Sequence, residues 1–459
     1  MKIVVDLDGT LTNFSEFIKI NAIPFFQKKY QMEVVNSNEL EIEDIFEMDN
    51  FFIKKYNCSQ EEAKLMTKKA LDSFWIGLNF IKFSLFGKFR PSVRKFLNKK
   101  IKEGNSVEIH TSRAKTCNND KIGKIAKSFT ILQCWLNGLN ISSKDIYFYP
   151  NDSEKVKGII DKKPDIVFDD KKEIVEELRK NGLKVLFIDE KYNKDIKEDK
   201  NTLRIDSFKT ASDNIEKVIG KNKLKLYNRA LKSDIFFNKI KLVSPLVMLK
   251  FKPIIVNYEN LISVENEPIV YAPNHRSTLD PVVITGIILK NIHWAALVRF
   301  FKANDSIFNN NKSRLLCDIT SKTFKKLEYF PIDRKSDNPN ANNMNAIRDM
   351  NGFLKINQRI GIFAEGTTKR LPGKDFGTFD DSFIILSKKN NAWIQPITTL
   401  WIKELNIPSK VIINFGKPFK VENKSIEEGM KHFLSIQESC LEENKEIRNN
   451  LEKMKIKTF

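Results

Sequence analysis

Two short stretches of this chain hold side chains at spacings that suit covalent chemistry. The first is Asp6-Leu7-Asp8-Gly9-Thr10, directly after the apolar run Ile3-Val4-Val5. Residues two apart on an extended segment point to one side, so Asp6 and Asp8 share a face, and Gly9 permits a tight turn behind them. Such a pair can divide the work of phosphoryl transfer. Asp6 attacks phosphorus to give an aspartyl-phosphate, while Asp8 gives a proton to the leaving oxygen and later takes one from water. Two carboxylates facing a phosphate repel it, so the site needs a hard cation such as Mg²⁺ and nearby donors. Candidates stand at the ends of later β-rich runs: Thr111-Ser112 after Val107-Glu108-Ile109, and Asp169-Asp170 after Ile166-Val167-Phe168, with Lys155 and Lys157 just upstream.

The second stretch is Asn274-His275-Arg276-Ser277-Thr278-Leu279-Asp280, which uses one of only four histidines in the chain. If this segment turns helical, His275 and Asp280 approach a common face. Asp280 then fixes the imidazole tautomer and leaves the other ring nitrogen as a base. Further on, Phe330-Pro331-Ile332-Asp333-Arg334 puts a guanidinium after an apolar strand, and Phe363-Ala364-Glu365-Gly366-Thr367 ends another strand in a glycine turn, followed by Thr368, Lys369 and Arg370. Arg334, Lys369 and Arg370 suit a phosphomonoester, and Gly366 lets backbone N–H groups approach it. Any one of these turns alone would be an ordinary solvated loop. Gln395-Pro396-Ile397 interrupts a hydrophobic strand, which predicts a strand beside a pocket rather than in a central ladder.

Both clusters need strands whose ends converge. In the first half, Ile3–Val5, Val107–Ile109, Ile166–Phe168 and Val185–Ile188 alternate with helical patterns over 92–102 and 171–180. That rhythm predicts an α/β fold with a Rossmann-like parallel sheet, whose sites form at the carboxyl ends of the strands. The Phe-rich segment over about residues 11–90 is too long for a simple crossover and reads as a helical cap insertion. The rhythm stops near residue 210. A Lys-rich amphipathic segment over 211–240 and beyond follows, with Leu224, Tyr227, Leu231 and Ile235 at helical spacing, a pattern that suits an anionic membrane surface. β-rich runs at Ile269–Tyr271, Ile360–Phe363 and Val411–Ile413 then resume within 241–459, mixed with helical stretches and closed by a charged helical tail from Lys424. Three regions are therefore expected: 1–210, a linker helix over 211–240, and 241–459.

The first cluster resembles the haloacid dehalogenase superfamily of aspartate-nucleophile phosphatases over roughly the first 205 residues, through Asp6, Asp8, Thr10, Thr111 and Asp169-Asp170. The resemblance implies Asp6 as nucleophile, Asp8 as acid and base, and Thr111 with Lys155 or Lys157 on the phosphate. It also implies Mg²⁺ held by Asp6, the Asp8 carbonyl and Asp169 or Asp170, and a cap that selects substrate. The second set resembles the glycerolipid acyltransferase family, typified by the lysophosphatidic acid acyltransferases, over about residues 240–420. This implies an α/β acyltransferase domain in which His275 deprotonates a glycerol hydroxyl and Asp280 orients it. Arg334 and the Glu365-Gly366-Thr367 turn would hold the acceptor's phosphate. The chain departs from the family pattern at Glu328, where glycine is usual, and at Thr368, where an arginine is usual; Lys369 or Arg370 would compensate.

Composition sets the partners. Among the 459 residues, 78 Lys and Arg stand against 58 Asp and Glu, a formal charge of +20 that favours anionic lipid, phosphorylated substrates or nucleic acid. The basic residues are mostly dispersed lysines rather than an arginine and aromatic cluster, so no nucleic acid is expected. The five cysteines are scattered without a C-x-x-C pair, which fits reduced thiols and a cytoplasmic setting. No signal peptide and no run approaching the roughly 20 apolar residues of a membrane span is evident, so peripheral attachment to the inner membrane face is expected. The leading expectation is acyl transfer from acyl-CoA or acyl carrier protein to 1-acylglycerol-3-phosphate, with a fused Mg²⁺-dependent phosphatase. The alternatives are a phosphatase whose second half only binds lipid, supported by Glu328 and Thr368, and a basic nucleic-acid binder.

Overall fold

The computed structural model describes residues 1–30, 48–75, 78–262, 267–301, 311–333, 339–366, 374–404 and 407–456. The chain divides into two compact units, Met1–Leu224 and Lys225–Phe459.

The first unit is built on a six-stranded sheet in the order β3-β2-β1-β4-β5-β6. Its strands are β1 Lys2–Asp6, β2 Ser106–Thr111, β3 Ile146–Phe148, β4 Ile166–Asp169, β5 Val185–Ile188 and β6 Thr202–Ile205, and every pairing is parallel. Central strands of such a sheet are covered on both faces and must be apolar throughout. Accordingly Ile3, Val4, Val5, Ile166, Val167 and Phe168 are fully buried. The order reverses between β1 and β4, which opens the crevice where ligands bind in this topology. The two edge strands β3 and β6, only three and four residues long, have no counterpart among the predicted runs.

Between β1 and β2 the described residues form four α-helices, Phe14–Tyr30, Asp49–Tyr56, Gln60–Trp75 and Leu78–Phe86, before the crossover helix Val93–Lys102. The first three share a core, in which Phe26, Phe52 and Phe74 join Ile18, Ala22 and Ala70, and Phe83 of the fourth meets the rings of Phe14 and Phe17. The chain leaves and re-enters the sheet unit through one short antiparallel bridge, Thr12 with Phe89, flanked by Asn13 N to Lys88 O at 3.0 Å and Arg90 N to Leu11 O at 2.8 Å. These helices fall within the segment 11–90 that reads as an insertion in the sequence.

The expected linker over 211–240 is not one element. Helix Ala211–Ile219 buries Ala211, Ile215, Val218 and Ile219, and Lys184 Nζ donates to Val218 O at 2.8 Å, so it completes the first unit. The next helix, Lys221–Ile240, contains the division between units and buries Tyr227, Ala230, Ser233 and Phe237. Of its apolar stripe, Tyr227 is packed inward, Leu224 and Leu231 are half-buried and Ile235 is exposed.

The second unit carries a seven-stranded sheet in the order β10-β9-β11-β8-β12-β13-β7. The strands are β7 Ile254–Val256, β8 Ile269–Pro273, β9 His293–Leu297, β10 Phe330–Ile332, β11 Arg359–Gly361, β12 Trp393–Glu404 and β13 Ile407–Phe415. Pairings are parallel except β12 with β13. The predicted peripheral position of Gln395-Pro396-Ile397 is corrected: β12 is central, with Pro396 in register with Ala272 of β8. Pro396 O accepts from Gly416 N at 3.0 Å, whereas the ladder with β13 ends at Ile397 and Phe415. The missing proline N–H therefore faces a point just past the end of that ladder, where no bond is lost. The charged tail is the helix Ile426–Ile456, and it lies on the sheet through Gln437, which donates to Ala272 O and Ile397 O at 3.1 Å each.

Glu328, where glycine is usual in the resembled family, has φ of +54°. That left-handed conformation suits glycine and costs other residues about 1–2 kcal/mol. An ion pair offsets it: Arg229 donates to Glu328 Oε2 from Nε at 3.0 Å and Nη2 at 2.7 Å, and from Nη2 to Asp349 Oδ2 at 2.7 Å. Arg229→Ala is expected to destabilise the second unit by about 1–2 kcal/mol in denaturant unfolding. Adding Glu328→Gly should restore much of that loss; a further loss in the double variant would refute the compensation.

Candidate functional sites

In the first unit, Asp6, Thr111 and Asp169 end three adjacent parallel strands, β1, β2 and β4. Lys155 arrives from the first turn of helix Asp152–Lys162, whose start is capped by Asn151 Oδ1 accepting from Glu154 N at 2.9 Å. The buried Lys155 Nζ donates to Asp6 Oδ1 at 2.5 Å and to Asp169 Oδ2 at 2.7 Å. Lys157 is exposed and pairs with Glu154, so of the two predicted lysines only Lys155 joins the site; one helical turn cannot aim both inward. Asp169 Oδ1 accepts from the backbone N–H groups of Asp170 and Lys171 at 3.0 Å each. Asp170 accepts from Thr10 Oγ1 at 2.6 Å and from Tyr192 OH. Gly9 has φ of +86°, and a Cβ there would lie 2.2 Å from Asp170 Oδ2, so the turn requires glycine.

Asp6, Asp169 and Asp170 each bring a carboxylate oxygen within 4.8 Å of the others, all three buried. Burial first, then the neighbouring acids, push the carboxyls of Asp6 and Asp170 up, that of Asp170 to about 7. Burial works against the Lys155 ammonium, but Asp169 and Asp6 outweigh it and hold the group charged. One ammonium among three buried carboxyls leaves negative charge unmatched. A hard divalent cation fits this oxygen donor set, and Asp6, Asp169 and Asp170 are the side chains that would hold it.

Asp8 points to a different partner. Arg113, buried behind β2, grips its carboxylate from both sides, Nε to Oδ2 at 2.7 Å and Nη2 to Oδ1 at 2.6 Å. Arg113 is itself braced by Thr130 Oγ1 at 2.8 Å and Gln133 Oε1 at 3.2 Å. Thr111 Oγ1 lies 3.4 Å from Asp8 Oδ2. Asp6 and Asp8 are thus held by separate cations, which keeps their two tasks apart. Arg113 and Tyr192 do not figure among the sequence-predicted residues. Arg113, two positions after Thr111, carries the same-side signal used for Asp6 and Asp8; Tyr192 carries none.

In the second unit, His275 and Asp280 meet at the carboxyl end of β8, between β11 and β12. His275 Nδ1 lies 3.0 Å from Asp280 Oδ2. The expected helical turn does not bring them together, because the helix Asp280–Ile288 begins only at Asp280. Instead a loop wraps the carboxylate: Oδ2 also accepts from the backbone N–H groups of Arg276 and Ser277, each at 2.8 Å. Asn274 ties the same loop to β12 by accepting from Thr399 N at 2.7 Å and donating to Thr399 O at 3.1 Å. The imidazole lies against Phe363, ring centroids 4.3 Å apart, and Phe363 stacks on Trp294 at 4.8 Å.

Glu365 was expected in a phosphate-holding turn; its buried carboxylate instead accepts from His275 N at 2.9 Å and Gly377 N at 2.7 Å. Those two bonds tie the histidine loop to the segment that follows the Glu365 turn. Gly366 has φ of +64°, as its turn requires. Arg334, Thr367, Thr368, Lys369 and Arg370 lie outside the described residues.

Residues 253–400 match the family model described as Acyltransferase, and the second unit carries this Acyltransferase domain. No curated protein matches the chain. Among solved structures, the 1-acyl-sn-glycerophosphate acyltransferase of Thermotoga maritima is similar at 16% identity and TM-score 0.33, over 47% of this chain and 82% of that one. A haloacid dehalogenase-like hydrolase of Streptococcus pneumoniae is similar at 14% identity and TM-score 0.31, over 46% and 97%. A haloacid dehalogenase hydrolase of Entamoeba histolytica follows at 15% and 0.32, over 47% and 98%.

Cation binding is testable without an activity. Mg²⁺ should raise the melting temperature of the first unit, as expected for a ligand of the folded state alone, and Asp169→Asn should remove the effect. Protonation of Asp170 competes with the cation, so apparent affinity should weaken as pH falls through about 7 and strengthen above it. A Mg²⁺ response unchanged in Asp169→Asn would exclude this site.

Proposed function

We propose that the second unit transfers an acyl group from a thioester, of coenzyme A or acyl carrier protein, to the free hydroxyl of 1-acylglycerol-3-phosphate. The observation that carries this reading is the 3.0 Å contact of His275 Nδ1 with the buried Asp280. With Nδ1–H donating to Asp280, Nε2 is the basic nitrogen. It takes the hydroxyl proton as the alcohol oxygen attacks the thioester carbonyl. The C–S bond then breaks, and the imidazolium returns its proton to the thiolate. The product is phosphatidate. Phosphate recognition falls to Arg334, Lys369 and Arg370, where the sequence concentrates cations after two strands.

The first unit is proposed to hydrolyse a phosphomonoester. Asp6 attacks phosphorus, the P–O bond to the leaving group breaks, and Asp8 supplies that oxygen with a proton. Asp8 then takes a proton from the water that cleaves the aspartyl-phosphate, which frees phosphate. A Mg²⁺ ion held by Asp6, Asp169 and Asp170 would offset the charge of phosphate among these carboxylates. The reading in which the second half merely binds lipid loses one of its supports, since Glu328 occupies the glycine-like conformation and is anchored there by Arg229.

Attachment to an anionic bilayer is proposed through the segment after helix Lys221–Ile240. Leu242, Val243, Leu246 and Leu249 are 77%, 53%, 64% and 70% exposed, and Lys239, Lys241, Lys250 and Lys252 surround them. Apolar side chains ringed by lysine match the acyl and phosphate layers of such a surface. Among the described residues, no helix is long and apolar enough to cross a membrane.

His275→Ala is expected to abolish conversion of lysophosphatidate and acyl thioester to phosphatidate, while Asp6→Asn abolishes Mg²⁺-dependent phosphate release and leaves acyl transfer intact. Acyl transfer persisting in His275→Ala would sink the assignment. Leu246→Ser with Leu249→Ser should weaken sedimentation with phosphatidylglycerol vesicles by at least about tenfold, and undiminished binding would locate the lipid contact elsewhere.

A further inference from the structure

The Asp280 carboxylate finds the partners of one oxygen outside the surrounding motif. Its Oδ2 is occupied by His275 Nδ1 and the N–H groups of Arg276 and Ser277. Its Oδ1 accepts from Trp401 Nε1 at 2.7 Å, with Thr399 Oγ1 only at 3.5 Å. Asp280 is 1% exposed, so bulk water does not take the place of a lost donor. Rotation about the bond between Cβ and the carboxyl carbon is soft in aspartate, and a carboxylate held through one oxygen can swing. Held through both, its plane is set, and with it the direction of the bond to His275.

The indole is positioned in turn. Trp401 lies in β12, in register with Val411 of β13, and Phe251 meets its ring edge-on, centroids 5.4 Å apart at 86°. Phe251 is the last residue of the helix Ser244–Phe251. Among apolar side chains only tryptophan brings an N–H donor within a ring large enough to be clamped this way. Trp401 also stands just beyond residues 253–400, which match the family model.

We propose that Trp401 is a positioning residue for acyl transfer: its N–H fixes the Asp280 carboxylate, and through it His275, while Phe251 holds the indole in place. This rests on His275 being the base.

Trp401→Phe keeps a ring against Phe251 and removes the N–H. A hydrogen bond to a buried charge has an effect that translates to a fall in kcat of about tenfold to a hundredfold. KM for thioester and acceptor should stay within about twofold. Trp401→His, a smaller ring with an N–H, should recover part of the rate, which a packing role alone would not give. A readout independent of turnover is the His275 Nδ1 proton in nitrogen-15-labelled protein, identified by its loss in His275→Gln. It should give a low-field, exchange-protected signal in the wild type and broaden in Trp401→Phe. An unchanged kcat with an unchanged His275 signal would overturn the proposal. If wild type and His275→Ala transfer acyl groups equally, the base assignment fails, and the imidazole signal alone decides whether Trp401 positions the pair.

Discussion

A charge taken out of water must be met by an opposite charge or by well-placed donors, and much of this chain is arranged around four acids under that constraint. Asp6 and Asp169 share one buried ammonium, Asp8 is gripped by one buried guanidinium, and Asp280 is surrounded by two backbone N–H groups, an imidazole and an indole. None of these partners is local in the same way. Lys155 comes from a helix start, Arg113 from the residues after a strand, and Trp401 from a strand 121 residues away in sequence. Parallel sheets reconcile such distant contributions because they deliver many strand ends to one rim, where loops and helix starts can converge.

How much of this is legible in the sequence follows from how far each partner lies. Asp6-Leu7-Asp8-Gly9-Thr10 and the strand before it read directly, since residue type, alternation and the glycine turn are all local. The buried strands β1, β4 and β5 read from their apolar runs and β2 from its β-branched residues, whereas β3 and β6, short and at the edges, depend on tertiary pairing. The pairing of His275 with Asp280 is legible, but its geometry is not. The motif hints at helical spacing, yet the carboxylate draws the N–H groups of Arg276 and Ser277 onto itself and holds the segment as a loop. Lys155 and Lys157 are indistinguishable by type, and only the capped start of their helix decides between them. Trp401 carries no local signal at all.

Two departures from local rules show tertiary context outweighing preference. Pro396 sits in a central strand because its imino nitrogen faces the place where the neighbouring ladder has already ended. Glu328 takes a left-handed backbone because Arg229 holds its carboxylate. The Lys221–Ile240 helix makes the same point for surfaces: a basic amphipathic stripe is equally suited to lipid and to protein, and here Tyr227 and Phe237 are buried. The strongly exposed leucines lie in the next short segment, where the pattern is less regular and the lysines flank rather than alternate.

The helical insertion of the first unit has its two ends side by side, joined by the Thr12 and Phe89 bridge. A segment attached in this way resembles a tool on a fixed handle. The handle is not its sole link to the strands beneath: Phe83 O of the helix Leu78–Phe86 accepts from Gln133, which in turn accepts from Arg113, and the Phe83 ring lies 5.2 Å from the Arg113 guanidinium that grips Asp8. A change in that helix is therefore felt at Asp8 through Arg113, so the attachment and the acid beside it must change together rather than on separate clocks.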